Sequence, residues 1–179
     1  NTIDKFETDF VFQFASPGMK NLIAGSVPQT TTQLAELNAL FRPGPIEAGF
    51  IEKYLAIKQG KDAKLTTEEE IIMSVLKKVF GQSHPGLMIF QEDVMRICTE
   101  CAGFTMTEAD DIRRAMGKKK DEVLAVWEQP FCDNWHEGGD PTKVWDALKG
   151  FAHYAFNKSH SVAYAIIAYA TAKIWTYQR

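Results

Sequence analysis

Residues 110–120 run Asp-Asp-Ile-Arg-Arg-Ala-Met-Gly-Lys-Lys-Lys. Five cations, Arg113, Arg114, Lys118, Lys119 and Lys120, crowd into this stretch of a chain whose formal net charge is −3. Guanidinium forks match phosphate oxygens in both shape and charge, and lysine ammoniums add mobile point charges. A triphosphate or a nucleic-acid backbone would use both kinds. The competing reading is a solvated basic surface, because acids at a helix start and arginines near its end also suit the helix dipole. Adjacent residues on a helix point about 100° apart. The expectation is therefore that Arg113 and Arg114 do not both face one carboxylate but reach around a ligand seated over the helix end.

A second polar group is Asn157-Lys158-Ser159-His160-Ser161. An amide, an amine, two hydroxyls and an imidazole at a helix start can hold an anion with the exposed backbone N–H groups there. They can also be purely local: Ser159 or Ser161 as a cap, His160 as a hydrogen-bonded structural residue. The familiar chemical signatures are missing. There is no P-loop, no dinucleotide fingerprint, no HExxH, no zinc-ligand spacing and no nucleophile elbow. Asp9, Glu92, Asp93 and Asp110 do not form a two-metal carboxylate set by spacing, and Glu92 and Asp93 read as solvent or salt-bridge residues on a helix.

Helices must position these groups. The fold class expected is mainly α, a multi-helix domain with at most a short N-terminal strand at Phe10–Phe14, where apolar residues alternate weakly. Short helical character follows Ser16-Pro17-Gly18. Thr31 and Thr32 precede a helix through Leu34, Leu37 and Leu40, closed by the stiff corner Arg42-Pro43-Gly44-Pro45. Gly49–Lys58 is helical. Thr67-x-x-Glu70 is a capping box for Ile71–Phe80, and Thr107-x-x-Asp110 caps the helix that carries the arginines. Leu87–Ala102, Asp121–Trp135 with Pro130 inside, Pro141–His153 and a last helix toward Tyr177 complete the pattern.

With 179 residues, 45% of them hydrophobic, the chain can bury a core and is not disordered. Cys98, Cys101 and Cys132 are an odd set without a framework, which suggests a reducing compartment, the cytoplasm. Cys98-x-x-Cys101 has no second pair; buried thiols are the preferred reading over a metal or redox role. The start, Asn1-Thr2-Ile3-Asp4, lacks an initiator Met, a basic n-region and an apolar h-region, and reads as a cut piece of something longer without a signal peptide. The apolar run Ser161–Thr176 is too short to span a bilayer, so no membrane is expected.

Several motifs in register resemble the alpha subunits of bacterial replicative DNA polymerase III, the C-family polymerases. They are Val11-Phe12-Gln13 with Gly18-Met19-Lys20, Leu40-Phe41-Arg42-Pro43-Gly44-Pro45, Phe90-Gln91-Glu92-Asp93-Val94-Met95, Ile112 to Lys120, and Phe156-Asn157-Lys158-Ser159-His160-Ser161 followed by Ala163-Tyr164. The resemblance covers nearly the whole chain. It implies a fingers domain over residues 1–179, with 1–45 a transition from the palm and 46–179 the helical fingers body. It further implies that Arg113, Arg114, Lys118, Lys119 and Lys120 grip an incoming dNTP triphosphate and nearby DNA backbone. Arg42, Asn157, Lys158, Ser159 and His160 would line the same nucleotide-facing surface. The family's metal-binding aspartates belong to a palm upstream of Asn1. No catalytic residue and no metal ligand is therefore expected here, and no cofactor in this fragment, with Mg2+ serving the full-length enzyme. Partners implied are the dNTP, primer-template DNA, the palm and remaining domains, and the sliding clamp and replisome subunits through absent regions.

The chain departs from the family pattern at Ala15, at Gln59-Gly60-Lys61, at His84-Pro85-Gly86, in Lys64–Gln82 and in Glu137–Pro141. The activity expected is DNA-directed DNA polymerisation by the full-length chain, with this piece alone inactive. The alternatives are an isolated nucleotide- or nucleic-acid-binding helical module and a catalytically inert structural domain.

Overall fold

Side-chain caps and prolines set most of the helix boundaries in the computed structural model, which describes residues 8–118 and 120–177. Among them lie ten helices: α1 Pro17–Ser26, α2 Thr31–Leu40, α3 Pro43–Glu47, α4 Phe50–Lys58, α5 Thr67–Phe80, α6 Gln91–Cys101, α7 Met106–Gly117, α8 Asp121–Asn134, α9 Pro141–Ala152 and α10 Lys158–Tyr177. No strand occurs among the described residues, only an isolated parallel bridge between Phe90 and Phe156. The all-α expectation therefore holds. The chain divides into two compact units, Asn1–Ala63 with Asn157–Arg179, and Lys64–Phe156.

In the first unit, α10 lies along α2. Ser161, Ala165, Ala168 and Ala172 form one buried stripe of α10, small enough to let the two helices approach closely. Leu34, Ala35, Leu37 and Leu40 of α2 are buried in the same unit. The Ser161 hydroxyl donates to the Ala35 carbonyl at 2.6 Å, satisfying a polar group that the contact buries. α1 packs on α4.

The strand expected at Phe10–Phe14 is instead a pair of turns: Val11 N–H bonds Thr8 O at 2.9 Å and Phe14 N–H bonds Val11 O at 3.0 Å. The buried residues are Val11 and Phe14, three apart rather than two, so the alternation that suggests a strand does not match the face that is buried. Phe10 stacks on Trp175, ring centroids 4.1 Å apart.

The Arg42-Pro43-Gly44-Pro45 corner ends α2 as expected, and the same prolines start α3. Arg42 is extended, φ −140° and ψ 154°, the conformation a following proline favours, and Pro43 sits at the first helical turn. A Cβ at Gly18 would come within 2.6 Å of the Phe41 ring, so a larger residue beside this corner would force that ring to move.

In the second unit, α5 to α9 surround Ile72, Leu76, Ile97, Ile112, Met116 and Trp145, all nearly inaccessible. Phe131 stacks on Trp135, ring centroids 5.3 Å apart, and meets Trp145 in a tilted contact at 5.0 Å. Both capping boxes differ in register from the sequence expectation. For α5 the pair is Thr66 and Glu69; for α7 it is Thr105 and Glu108. Each sequence offers overlapping Ser/Thr-x-x-acid frames, and packing of the apolar stripe selects one. Residues 87–90, expected to be helical, are a buried non-helical segment that ends in extended backbone at Phe90. Four apolar residues in a row need no helical period when the segment is covered on every side.

Candidate phosphate-binding site

The Thr105 cap fixes what the end of α7 can do. Thr105 N–H and Oγ1 both donate to Glu108 Oε2, at 2.8 and 2.7 Å, and Glu108 N–H returns a bond to Thr105 Oγ1. The cap is therefore complete without Asp110, and the Asp110 carboxylate is left to reach one turn onward. Its Oδ1 accepts from Arg113 Nε at 2.8 Å and lies 2.7 Å from Arg113 Nη2; its Oδ2 lies 2.6 Å from Arg114 Nη2. This corrects the expectation that the two arginines cannot share a carboxylate. Positions three and four ahead straddle the residue they follow, so a single aspartate reaches both. The hydrogen bond from Arg113, then the charges of both arginines, hold the Asp110 carboxyl below the ordinary aspartate value.

One carboxylate facing two guanidiniums leaves a positive charge in excess. The two arginines differ in placement. Arg113 is 27% exposed and donates a further bond, from Nη1 to Gln91 Oε1, at 3.0 Å. Arg114 is 62% exposed, and Asp110 is the acceptor it meets. Lys118 caps the C-terminus of α7, its N–H on Arg114 O at 3.1 Å, and Lys120 N–H bonds Ala115 O at 3.0 Å. Both side chains are exposed. Lys119 lies outside the described residues. A C-terminal helix end draws cations, so Arg114 and Lys118 also complement the unpaired carbonyls there.

Gln91 escaped the sequence reading: it is far from Arg113 in the chain and no local spacing joins them. It is the first residue of α6, and two features hold it in place. Its N–H bonds Phe156 O at 2.9 Å, and Phe156 N–H returns to Ile89 O at 3.3 Å. Asp93 Oδ2 accepts from Ile89 and Phe90 N–H at 2.7 and 2.8 Å. Asp93, expected as a solvent or salt-bridge residue, is fully buried, organises the turn into α6, and has His84 Nε2 3.9 Å from its Oδ1. The signal for Asp110 was present in the spacing to Arg113 and Arg114.

The second predicted group belongs to the first unit. Asn157 Oδ1 accepts from His160 N–H at 2.9 Å and from Ser159 Oγ at 2.7 Å, so Asn157, rather than either serine, caps α10. The His160 ring lies 4.4 Å from that of Tyr164. Lys158 lies within electrostatic reach of Glu36, whose buried carboxylate accepts from Tyr54 Oη at 2.7 Å and stands 4.0 Å from Lys58 Nζ. Burial raises the Glu36 carboxyl, and Tyr54, Lys58 and Lys158 oppose that rise. Arg42 is half-buried, donates from Nε to Ala39 O at 2.7 Å, and has its pKa lowered by burial. Asn157 and Ser159 are occupied with shaping the helix start; within this predicted group the cationic side chains are Lys158 and Arg42.

Cys98 and Cys101 are buried with free thiols, as the preferred reading holds. Burial pushes them up to about 12 and about 11, where the reactive thiolate is scarce. Among the described residues no group of three or more His, Cys, Asp or Glu side chains is placed to hold a metal ion. No described helix is long and apolar enough to cross a membrane.

Residues 1–139 match the family described as the bacterial DNA polymerase III alpha subunit finger domain. The chain is 39% identical over 173 residues to the DNA polymerase III subunit alpha of Pasteurella multocida, a match covering 94% of this chain and 15% of that protein. It is 37% identical over 173 residues to the same subunit of Escherichia coli, with the same coverage of 94% and 15%. It is 38% identical over 172 residues to that of Aquifex aeolicus, covering 94% and 14%. The chain thus spans about one-seventh of the length of these curated relatives.

Proposed function

The chain belongs to the finger-domain family of bacterial DNA polymerase III alpha subunits, and from that membership we propose that the end of α7 binds the triphosphate of an incoming dNTP during templated nucleotidyl transfer. The observation that carries this reading is the paired arginines sharing one carboxylate, with Arg114 mostly exposed and Lys118 and Lys120 exposed after it. One aspartate gathers two guanidiniums without cancelling them, and phosphate oxygens are the ligand such a cluster suits. As the primer 3′-hydroxyl attacks the α-phosphate and pyrophosphate leaves, negative charge grows on the β- and γ-phosphates. Cations gathered there beforehand stabilise it. Lys118, Lys119 and Lys120 would add contact to the triphosphate or to nearby DNA backbone. Arg42, Asn157, Lys158, Ser159 and His160 are proposed as a nucleotide-facing group of the first unit, with Lys158 and Arg42 carrying charge and Asn157 holding the helix start.

The magnesium ions of the reaction belong, in this reading, to the palm of the whole polymerase, and the chain's own residues serve to bind and orient. The test is replacement of Arg113 and Arg114 by Ala in the polymerase that carries this segment. Loss of charged hydrogen bonds to the phosphates is expected to lower kcat/KM for nucleotide by about a hundredfold or more. An unchanged kcat/KM would remove the triphosphate role.

A further inference from the structure

Arg113 and Arg114 are neighbours in sequence but not equals in placement. Asp110 holds both, through Oδ1 for Arg113 and Oδ2 for Arg114. Among the described residues, Arg113 and not Arg114 is also tied to another helix, through Nη1 to Gln91 Oε1 at 3.0 Å. Gln91 is well suited to act as a fixed post. Its side chain is half-buried, and its backbone is clamped between the Phe156 carbonyl on one side and the turn that Asp93 organises on the other. An arginine whose fork is satisfied from two directions loses little further freedom when a ligand arrives.

We propose that Gln91 is a positioning residue for the phosphate site: it locks Arg113 against α6, so that Arg113 is the rigid member of the pair and Arg114 the one free to close on the ligand. This rests on the triphosphate reading above. Gln91 does not touch the nucleotide in this account and acts only through the Arg113 guanidinium. Removing its acceptor leaves Arg113, among the described residues, with Asp110 as its side-chain partner, so part of the binding energy goes into ordering the side chain again.

The experiment is a double-mutant cycle in the whole polymerase, with Gln91→Met and Arg113→Met alone and together, and Arg114→Met beside them. Gln91→Met keeps the side chain's shape and removes the acceptor. It is expected to raise the nucleotide KM about tenfold, the worth of one hydrogen bond to a charged group, with the KM for primer-template within about twofold. In the Arg113→Met background the same change is expected to add nothing. A purely structural glutamine would cost the same in both backgrounds and would move both KM values. If Arg113→Met and Arg114→Met raise the nucleotide KM but Gln91→Met leaves it alone, or contributes in full to the double variant, the positioning role is overturned while the triphosphate reading stands. If neither arginine variant moves the nucleotide KM, the triphosphate reading itself is overturned, and the positioning role falls with it.

Discussion

Asp110 shows how one residue can serve two others. Its carboxylate lies beside Arg113 and Arg114 and is held below the ordinary aspartate value, first by the Arg113 hydrogen bond and then by the charges of both arginines. The direction fixes the pH dependence. A carboxylate with a lowered folded pKa gives its stabilisation in full above the ordinary value of about 3.9 and loses it as pH falls through the lower folded value. At neutral pH the arrangement is complete. A carbon-13 titration of the Asp110 carboxyl is expected to give a midpoint below the ordinary aspartate value, and Arg113→Met is expected to move it upward. A midpoint at or above the ordinary value, or one unmoved by the substitution, would mean that the pair does not hold the carboxylate in solution. The spacing of Asp110 to the arginines was readable in the sequence, but its role was hidden by giving it to the helix cap.

That cap is a property of the element. Thr105-x-x-Glu108 and Thr107-x-x-Asp110 both satisfy the capping-box pattern, and periodicity does not choose between them. The choice comes from burial of Ala109, Ile112, Ala115 and Met116, which sets the rotation and start of α7. The consequence is local geometry: with the cap closed by Thr105 and Glu108, Asp110 is left to pair with the arginines. Thr105→Ala is expected to destabilise the chain by about 1 kcal/mol, whereas Thr107→Ala, at an exposed position, is expected to stay within about 0.5 kcal/mol. Denaturant midpoints of the two variants check this. A larger loss at Thr107 would restore the later cap and return Asp110 to it. The same kind of ambiguity explains the other misses among elements. The strand expected at Phe10–Phe14 failed because burial follows Val11 and Phe14, and the helix expected from Leu87 starts only at Gln91 because Asp93 and Phe156 bind the backbone before it. Helix existence was readable from apolar spacing and from proline and glycine; exact starts depended on partners distant in sequence.

For the whole molecule, the family was readable because its motifs combine rare residue types at fixed spacing, such as Arg42-Pro43-Gly44-Pro45 and the arginine-lysine run. The division into two units was not readable, because it depends on α10 packing along α2 across more than a hundred residues of chain. Gln91 was missed for a related reason: its bond to Arg113 joins two helices that no short-range pattern links. An acidic total charge of −3 does not argue against the proposed basic site, since recognition depends on where charges stand rather than on their sum. The central claim, that the end of α7 receives a triphosphate, is tested most directly by comparing competitive inhibition of the whole polymerase by a nucleoside triphosphate and its monophosphate, before and after Arg114→Ala. The account predicts that the triphosphate loses affinity by about tenfold or more while the monophosphate loses almost none. Equal losses for the two, or none for either, would contradict it.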